Sequence, residues 1–353
     1  MLRTIAVGLL CVIGAHTAGA SAFAKEDEPV SLVSEYDAKS KYRLDYSDLN
    51  SILGSTVLEM GPSTHKRARK LTKKTGTSIR KANPLPSRFE SNRVMLHEFN
   101  KNQIEVLGLI RDDLLAIPEQ LSLAKLNRNE QLAYWFNLHT AIVLAKVADM
   151  YPVTLLEKVF SPERKSSFFH KRAFNLNGQM ISLADIQHHV LTNWEDPRVI
   201  YGFYMGVVGT PNVRDTAYSG GTVFEALEEN AVDFINSIRG TQIWHKELRV
   251  STFYRMMAAQ FPNFEEDLMA HIKSYARGNF KSRLRKVDKI KVSIKDWHIA
   301  DLYNGKLSAG GGNHAGTTAT REGLSNGEKM PDHVMDLLRH RATQLTTHSK
   351  DKG

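Results

Sequence analysis

Glu130-Gln131-Leu132-Ala133-Tyr134-Trp135-Phe136-Asn137-Leu138-His139-Thr140-Ala141-Ile142-Val143-Leu144-Ala145-Lys146-Val147-Ala148-Asp149-Met150 is the most apolar stretch of helical length in the chain. Leu132, Trp135, Phe136, Ala141, Ile142, Val143, Leu144, Ala145 and Val147 cover most of a helix circumference, not one stripe, so this helix belongs at the centre of the core. Asn129 is the expected cap, Glu130 puts a negative charge in the first turn, and Pro152 ends the run. Asn137 sits inside this apolar helix. A buried amide needs partners, so Asn137 either braces a loop or lines a polar pocket.

Working outward, helical spacing recurs in Tyr42–Val57 and from Leu96 to about Pro118. After the central helix a short helix is expected at Leu155–Phe160. Asn177-Gly178 then lies between two short alternating runs, which is the signature of a β-hairpin. Ser182 caps a helix through Leu191 that carries Asp185, His188 and His189. Val199–Val208, bounded by Pro197 and by Gly209-Thr210-Pro211, reads as a short buried strand ending in a tight loop. Thr222–Ile238 has one apolar stripe and stops at Gly240. Short strands are expected around Ile243-Trp244 and Leu248–Val250, helices over Thr252–Ala259 and Glu265–Tyr275, and a further strand near Lys291. The whole predicts a mainly helical α+β single domain over 42–299, with a small sheet containing Arg198–Val208. A loose segment, 25–41, precedes the domain. A mostly disordered tail, 300–353, follows it, with an isolated helix at Pro331–Gln344.

Met1-Leu2-Arg3, the apolar run Ile5–Ala15 and the small residues up to Ala24 form the pattern of a cleaved secretory signal, 1–24. The expected location is periplasmic or secreted, with no transmembrane span after cleavage. The one cysteine, Cys11, lies within that leader, so the mature chain has no thiol and no disulfide framework. Much of the net charge of +9 comes from an insertion at 62–86 that includes Lys66, Arg67, Arg69, Lys70, Lys73 and Lys74. Such a run attracts an anionic envelope polymer or a lipid surface. Its lack of interleaved aromatics argues against nucleic acid.

Glu130–Ala141 resembles the Glu-x-x-Ala-Phe-Trp-Ile-Asn-x-Tyr-Asn-Ala helix of the family known as domain of unknown function 547. Ile181-Ser182-Leu183-Ala184-Asp185-Ile186-Gln187-His188 resembles its Leu-Ser-Leu-Asp-Asp-Ile-Glu-His segment, and Asp196-Pro197-Arg198 its Asp-Pro-Arg segment. Val250-Ser251 and Asp296-Trp297 extend the resemblance, which runs from about Tyr46 to Trp297. Members of that family are compared with papain-like cysteine peptidases, which implies a distant papain-like relation in fold. Where the family pattern is Cys-Gly-Ala-x-Ser-Cys-Pro, this chain has Met205-Gly206-Val207-Val208-Gly209-Thr210-Pro211, so both cysteines are gone. Thiolate chemistry does not carry over to such a chain.

His188 is the family-matched residue that keeps catalytic potential, as a general base or as a metal ligand together with Asp185. Asp185 with His188 or His189 has the one-face spacing that starts a metal site, which would need a third ligand from elsewhere. Glu130 and Arg198 form a candidate buried ion pair. With Asn137, Met205, Thr210 and Arg214 they are the candidates for a binding or structural pocket, Met205 being placed on the strand expected beside the His188 helix. The leading expectation is a catalytically degenerate binding or scaffolding domain. The alternative is a hydrolase using His188 with Asp185 or a bound metal. No particular cofactor is implied.

Overall fold

The computed structural model describes residues 30–69, 85–306 and 332–350. The expected signal sequence 1–24, the cations Lys70, Lys73 and Lys74, and tail residues 307–331 and 351–353 lie outside the described residues.

Helix α1, Ser47–Thr56, leads into strand β1, Val57–Leu58, which pairs antiparallel with β2, Arg93–Val94. Helix α2, Lys101–Gln120, starts at a capping box in which Asn100 and Gln103 each satisfy the other's backbone N–H. It runs slightly past Pro118, where it was expected to stop. Leu121 N–H still donates to the Ile117 carbonyl at 2.8 Å, closing the final turn.

Helix α3, Arg128–Met150, is the expected central helix, buried without a break from Glu130 to Ala145 and packed along α2. Its cap is Asn127, not Asn129. The Asn127 backbone is extended and its side chain accepts from Glu130 N at 3.0 Å, whereas Asn129 already lies in the first turn.

After the short α4, Glu157–Phe160, strands β3, Phe174–Leu176, and β4, Gln179–Ile181, form the expected hairpin. Asn177 and Gly178 both have positive φ (50° and 83°), as a tight turn matching the strand twist requires. Helix α5, Leu183–Asn193, opens on a second capping box, Ser182 with Asp185.

The expected strand at Val199–Val208 is a correction. Pro197–Gly202 is a 3-10 helix capped by Asp196, whose carboxylate accepts from Arg198 N at 2.9 Å. Asp followed by Pro is a helix-start signal, and it outweighs the β-branched run. The turn also packs against α3: a Cβ on Gly202 would lie 2.3 Å from the Phe136 ring, so only glycine fits there. Sheet-like pairing survives just beyond it. Ala300 N–H donates to Gly206 O at 2.8 Å and Val208 N–H to His298 O at 2.9 Å. The segment Asp296–Ala300 continues across to Thr154–Leu156.

Helix α6, Val223–Ile235, precedes a three-stranded sheet of β5, Thr241–Trp244, β6, Glu247–Ser251, and β7, Lys289–Ile294, in the order β5-β6-β7. The first pair is antiparallel and the second parallel. Between β6 and β7 lie α7, Phe253–Met256, α8, Phe264–Tyr275, and α9, Gly278–Leu284. The fold is thus mainly helical α+β around one core. Among the described residues no helix is long and apolar enough to cross a membrane.

The C-terminal helix α10, Asp332–Lys350, is not isolated. Val334 and Leu337 are buried against Met60 and Leu302, and His340 stacks on Phe89 at 4.8 Å.

Candidate ligand-binding cleft

The segment that follows the 3-10 turn ends in a buried polar network. Arg239, fully buried just past the end of α6, donates from Nη1 to the carbonyls of Val208 and Thr210. Its Nη2 donates to Asn212 Oδ1 at 3.0 Å and to the Asp233 carboxylate. Asn212 Nδ2 donates to Asp233 at 2.9 Å, and Asn92 N–H donates to Asn212 Oδ1 at 3.0 Å. Glu90 accepts the Ile238 and Arg239 N–H groups at 3.0 and 3.1 Å. Burial pushes the Glu90 carboxyl up to about 7, against the pull of the Ile238 N–H and of Arg239. Arg239 Nε alone of that guanidinium has no hydrogen-bond partner among the described residues; the remaining hydrogen bonds cross-link the network and hold it in place.

That network floors a cleft of about 1290 Å³. Helix α6 contributes its polar stripe, Glu225, Glu228, Glu229, Asp233 and Asn236, while its opposite face, including Ala226, Leu227, Ala231 and Phe234, lies in the core. Residues Glu59–Lys66 run alongside: Ser63 N–H donates to Asp233 at 3.0 Å and His65 N–H to Asn236 O at 3.1 Å. The far end is closed by the start of α9, with Arg277, Phe280 and Arg283. His65 is wedged there edge-on to Phe280, with ring centroids 4.0 Å apart and Nε2 at 3.1 Å from Thr241 Oγ1. Burial pushes its pKa down to about 4, so at neutral pH it is an uncharged part of the wall.

Of the residues singled out in the sequence, Arg214 lines this cleft, with Nη1 donating to Glu229 at 2.8 Å. Lys66 lines it too. Arg67 donates to Gln242 at 2.7 Å, and Arg69 O accepts from Arg88 Nη2 at 2.7 Å, which ties the start of the basic insertion to its end.

The others are elsewhere. Asn137 braces a loop, donating to Tyr218 O and accepting from Tyr218 N, both at 2.8 Å. The expected Glu130–Arg198 pair is not formed. Glu130 accepts Leu44 N at 3.0 Å and has Arg43 at 3.8 Å, whereas Arg198 grips Asp196 at 2.7 Å and reaches Glu228 at 3.4 Å. Met205 is buried in the core, and Thr210, also buried, donates from Oγ1 to Val207 O at 3.1 Å.

Asp185 is occupied by structure. It accepts from Arg172 Nη2 at 3.1 Å, Ser182 Oγ at 2.7 Å and Val30 N at 3.0 Å. Burial works to raise its pKa, but the Arg172 hydrogen bonds, then those of Val30 and Ser182, hold it below the usual carboxylate range. His188 points out from α5 into solvent, with Thr192 Oγ1 at 3.5 Å. Its neighbour His189 is the buried one, edge-on to Trp135, and burial pushes it down to about 4. No group of three or more His, Cys, Asp or Glu among the described residues is placed to hold a metal ion.

Sequence reasoning missed Arg239, Glu90, Asn92, Asp233, Arg277 and Arg283. One signal was available for part of the site: Glu225, Glu229, Asp233 and Asn236 recur at helical spacing opposite the apolar stripe of α6. Arg239 and Glu90 carried no local signal, because they meet across 149 residues of chain.

No curated protein and no solved structure matches this chain. Residues 123–235, from the approach to α3 through the end of α6, match the family described as "Protein of unknown function, DUF547", and over that stretch the chain is similar to that family.

Proposed function

We propose that the chain is an exported, catalytically degenerate binding or scaffolding domain of the cell envelope. The observation that carries this reading is the contrast between the two places where function was sought. The residues expected to do chemistry are spent on structure or face solvent: Asp185 caps α5 and His188 lines no part of the cleft. The cleft, by contrast, is large, open and charged, over a floor whose amides and carboxylates are already locked in place. Pre-organised polar walls of that kind suit binding, since little ordering remains for a ligand to impose. With both family cysteines replaced and no thiol beyond residue 11, the thiolate route of a papain-like enzyme is closed. The hydrolase alternative would need Asp185 released from Arg172 and Ser182.

The basic insertion begins at the rim of the cleft, where Pro62–Lys66 line it, so an anionic envelope polymer or lipid surface is the partner we assign to that rim. Cosedimentation of the purified chain with isolated envelope fractions tests this. Replacing Lys66, Arg67, Arg69 and Lys70 by Gln is expected to release the protein, most clearly at low salt, where screening is least. Equal, salt-insensitive partition of both proteins would refute the assignment. Export is tested separately by mass spectrometry of the mature protein, expected to begin at Lys25 without an acyl group; an intact Met1 or a lipid on Cys11 would overturn it.

A further inference from the structure

The charges in the cleft are sorted along its length. Helix α6 runs the whole way, and Glu225 and Asn236 on its polar stripe are eleven residues apart, about 16 Å at 1.5 Å per residue. At the Glu225 end stand Glu228, Glu229 and Glu59, with Glu59 feeling the cations Arg214 and Arg341 as well as Asp215 and Glu229. Arg198 and Arg214 neutralise Glu228 and Glu229, but Glu225 has no cationic partner among the described residues. At the Asn236 end the sign reverses. Arg277, whose backbone N–H is held by Asn236 Oδ1 at 2.8 Å, stands with Arg283 and Lys66, and none of the three has a carboxylate partner among the described residues. The floor between them is polar, supplied by Asn212, Asn230 and Asp233.

A uniformly anionic chain would meet the carboxylates of the first end, and a uniformly cationic one the arginines of the second. The cleft's volume also exceeds the 300–1,000 Å³ usual for small-molecule sites. An extended peptide of about five residues spans about 16 Å, the distance between the two charged ends. We infer that the cleft binds a short extended peptide of segregated charge, its amine-bearing end beside Glu225 and its carboxylate-bearing end beside Arg277, Arg283 and Lys66. This rests on the reading of the cleft as a binding site and adds the class of ligand and its direction.

The test uses two synthetic peptides of equal composition with blocked termini. One has its lysines at one end and its glutamates at the other; in the second the two alternate. Heparin serves as an anionic-polymer control, and affinities are measured by calorimetry at low salt. The segregated peptide is expected to bind at least about fivefold more tightly than the alternating one. Glu225→Gln and Arg283→Gln are each expected to weaken it about threefold, the size of one exposed ion pair, and Arg277→Gln likewise. These three side chains are exposed, so the variants keep the fold, which thermal melting checks. Equal affinity for the two peptides would overturn the inference. Heparin binding tightly while neither peptide binds would overturn it too, yet leave the cleft a binding site. Failure of all three probes would sink both readings.

Discussion

Asn137 holds the backbone of Tyr218 by two hydrogen bonds of 2.8 Å, one accepted by its side-chain oxygen and one donated by its nitrogen, from the middle of the central helix. That clamp fixes the loop joining the 3-10 turn to α6, and through it the position of the cleft wall. Asn137→Leu keeps the volume and strands a buried N–H and a buried C=O of Tyr218. Each such group costs about 1–3 kcal/mol, so a total of about 2–6 kcal/mol is expected in urea unfolding. A change below about 0.5 kcal/mol would show that the clamp is dispensable.

Arg239 joins the 206–212 segment to α6. Arg239→Met would leave the Val208 and Thr210 carbonyls without that donor and Asp233 without its cation, and about 3–5 kcal/mol is expected to be lost. Lysine should not rescue it, because a single ammonium cannot serve the carbonyls, Asn212 and Asp233 from one fixed fork. Full recovery by Arg239→Lys, read from denaturant midpoints, would contradict the geometry.

His139 is wholly buried beside Phe203, and neither ring nitrogen has a partner among the described residues. Burial pushes its pKa down to about 3 from 6.5. A histidine depressed in the folded state adds stability above pH 6.5 and loses it as the pH falls through the folded value. His139→Phe should therefore leave stability at pH 7 unchanged or raised, and make the loss between about pH 6.5 and 3 shallower. A steep loss at pH 7, seen in melting curves taken across that range, would reveal a partner for the ring.

Glu90 has the opposite sign. Its folded pKa, raised from 4.5 to about 7, means that its contribution is full below pH 4.5 and disappears as the pH rises through 7. Relative to the parent, Glu90→Gln should gain stability steadily between those limits. A difference that does not change with pH would place the ionisation elsewhere.

A thiol at 205 tests the idea of a former active site. Met205 was expected on a strand beside His188. It lies instead in the core, and the residue after it packs near Val143, Val147 and Leu156. Desolvation raises a buried thiol, so Met205→Cys should alkylate slowly, with a pKa above the ordinary ~8.5. Fast alkylation at neutral pH would mean that a histidine reaches the position after all.

Local chemistry made much of this architecture legible in advance. An apolar helix such as α3 has nowhere to go but the core, Asn177-Gly178 permits a hairpin turn that few other pairs allow, and Ser182 with Asp185 is a self-contained cap; each depends on neighbours within a few residues. Val199–Val208 misled because β-branched residues favour strands only when a partner strand is present, and the Asp196-Pro197 start with a glycine pressed on Phe136 favoured a 3-10 turn instead. Glu130 and Arg198 were read as a pair from charge alone, yet each found a nearer partner. The cleft itself was decided only by the tertiary structure. Arg239, Glu90, Asn92 and Asn212 come together from distant parts of the chain. What holds them is the cost of burying a charge or an amide unpaired, and that cost acts only once the fold has brought them within reach.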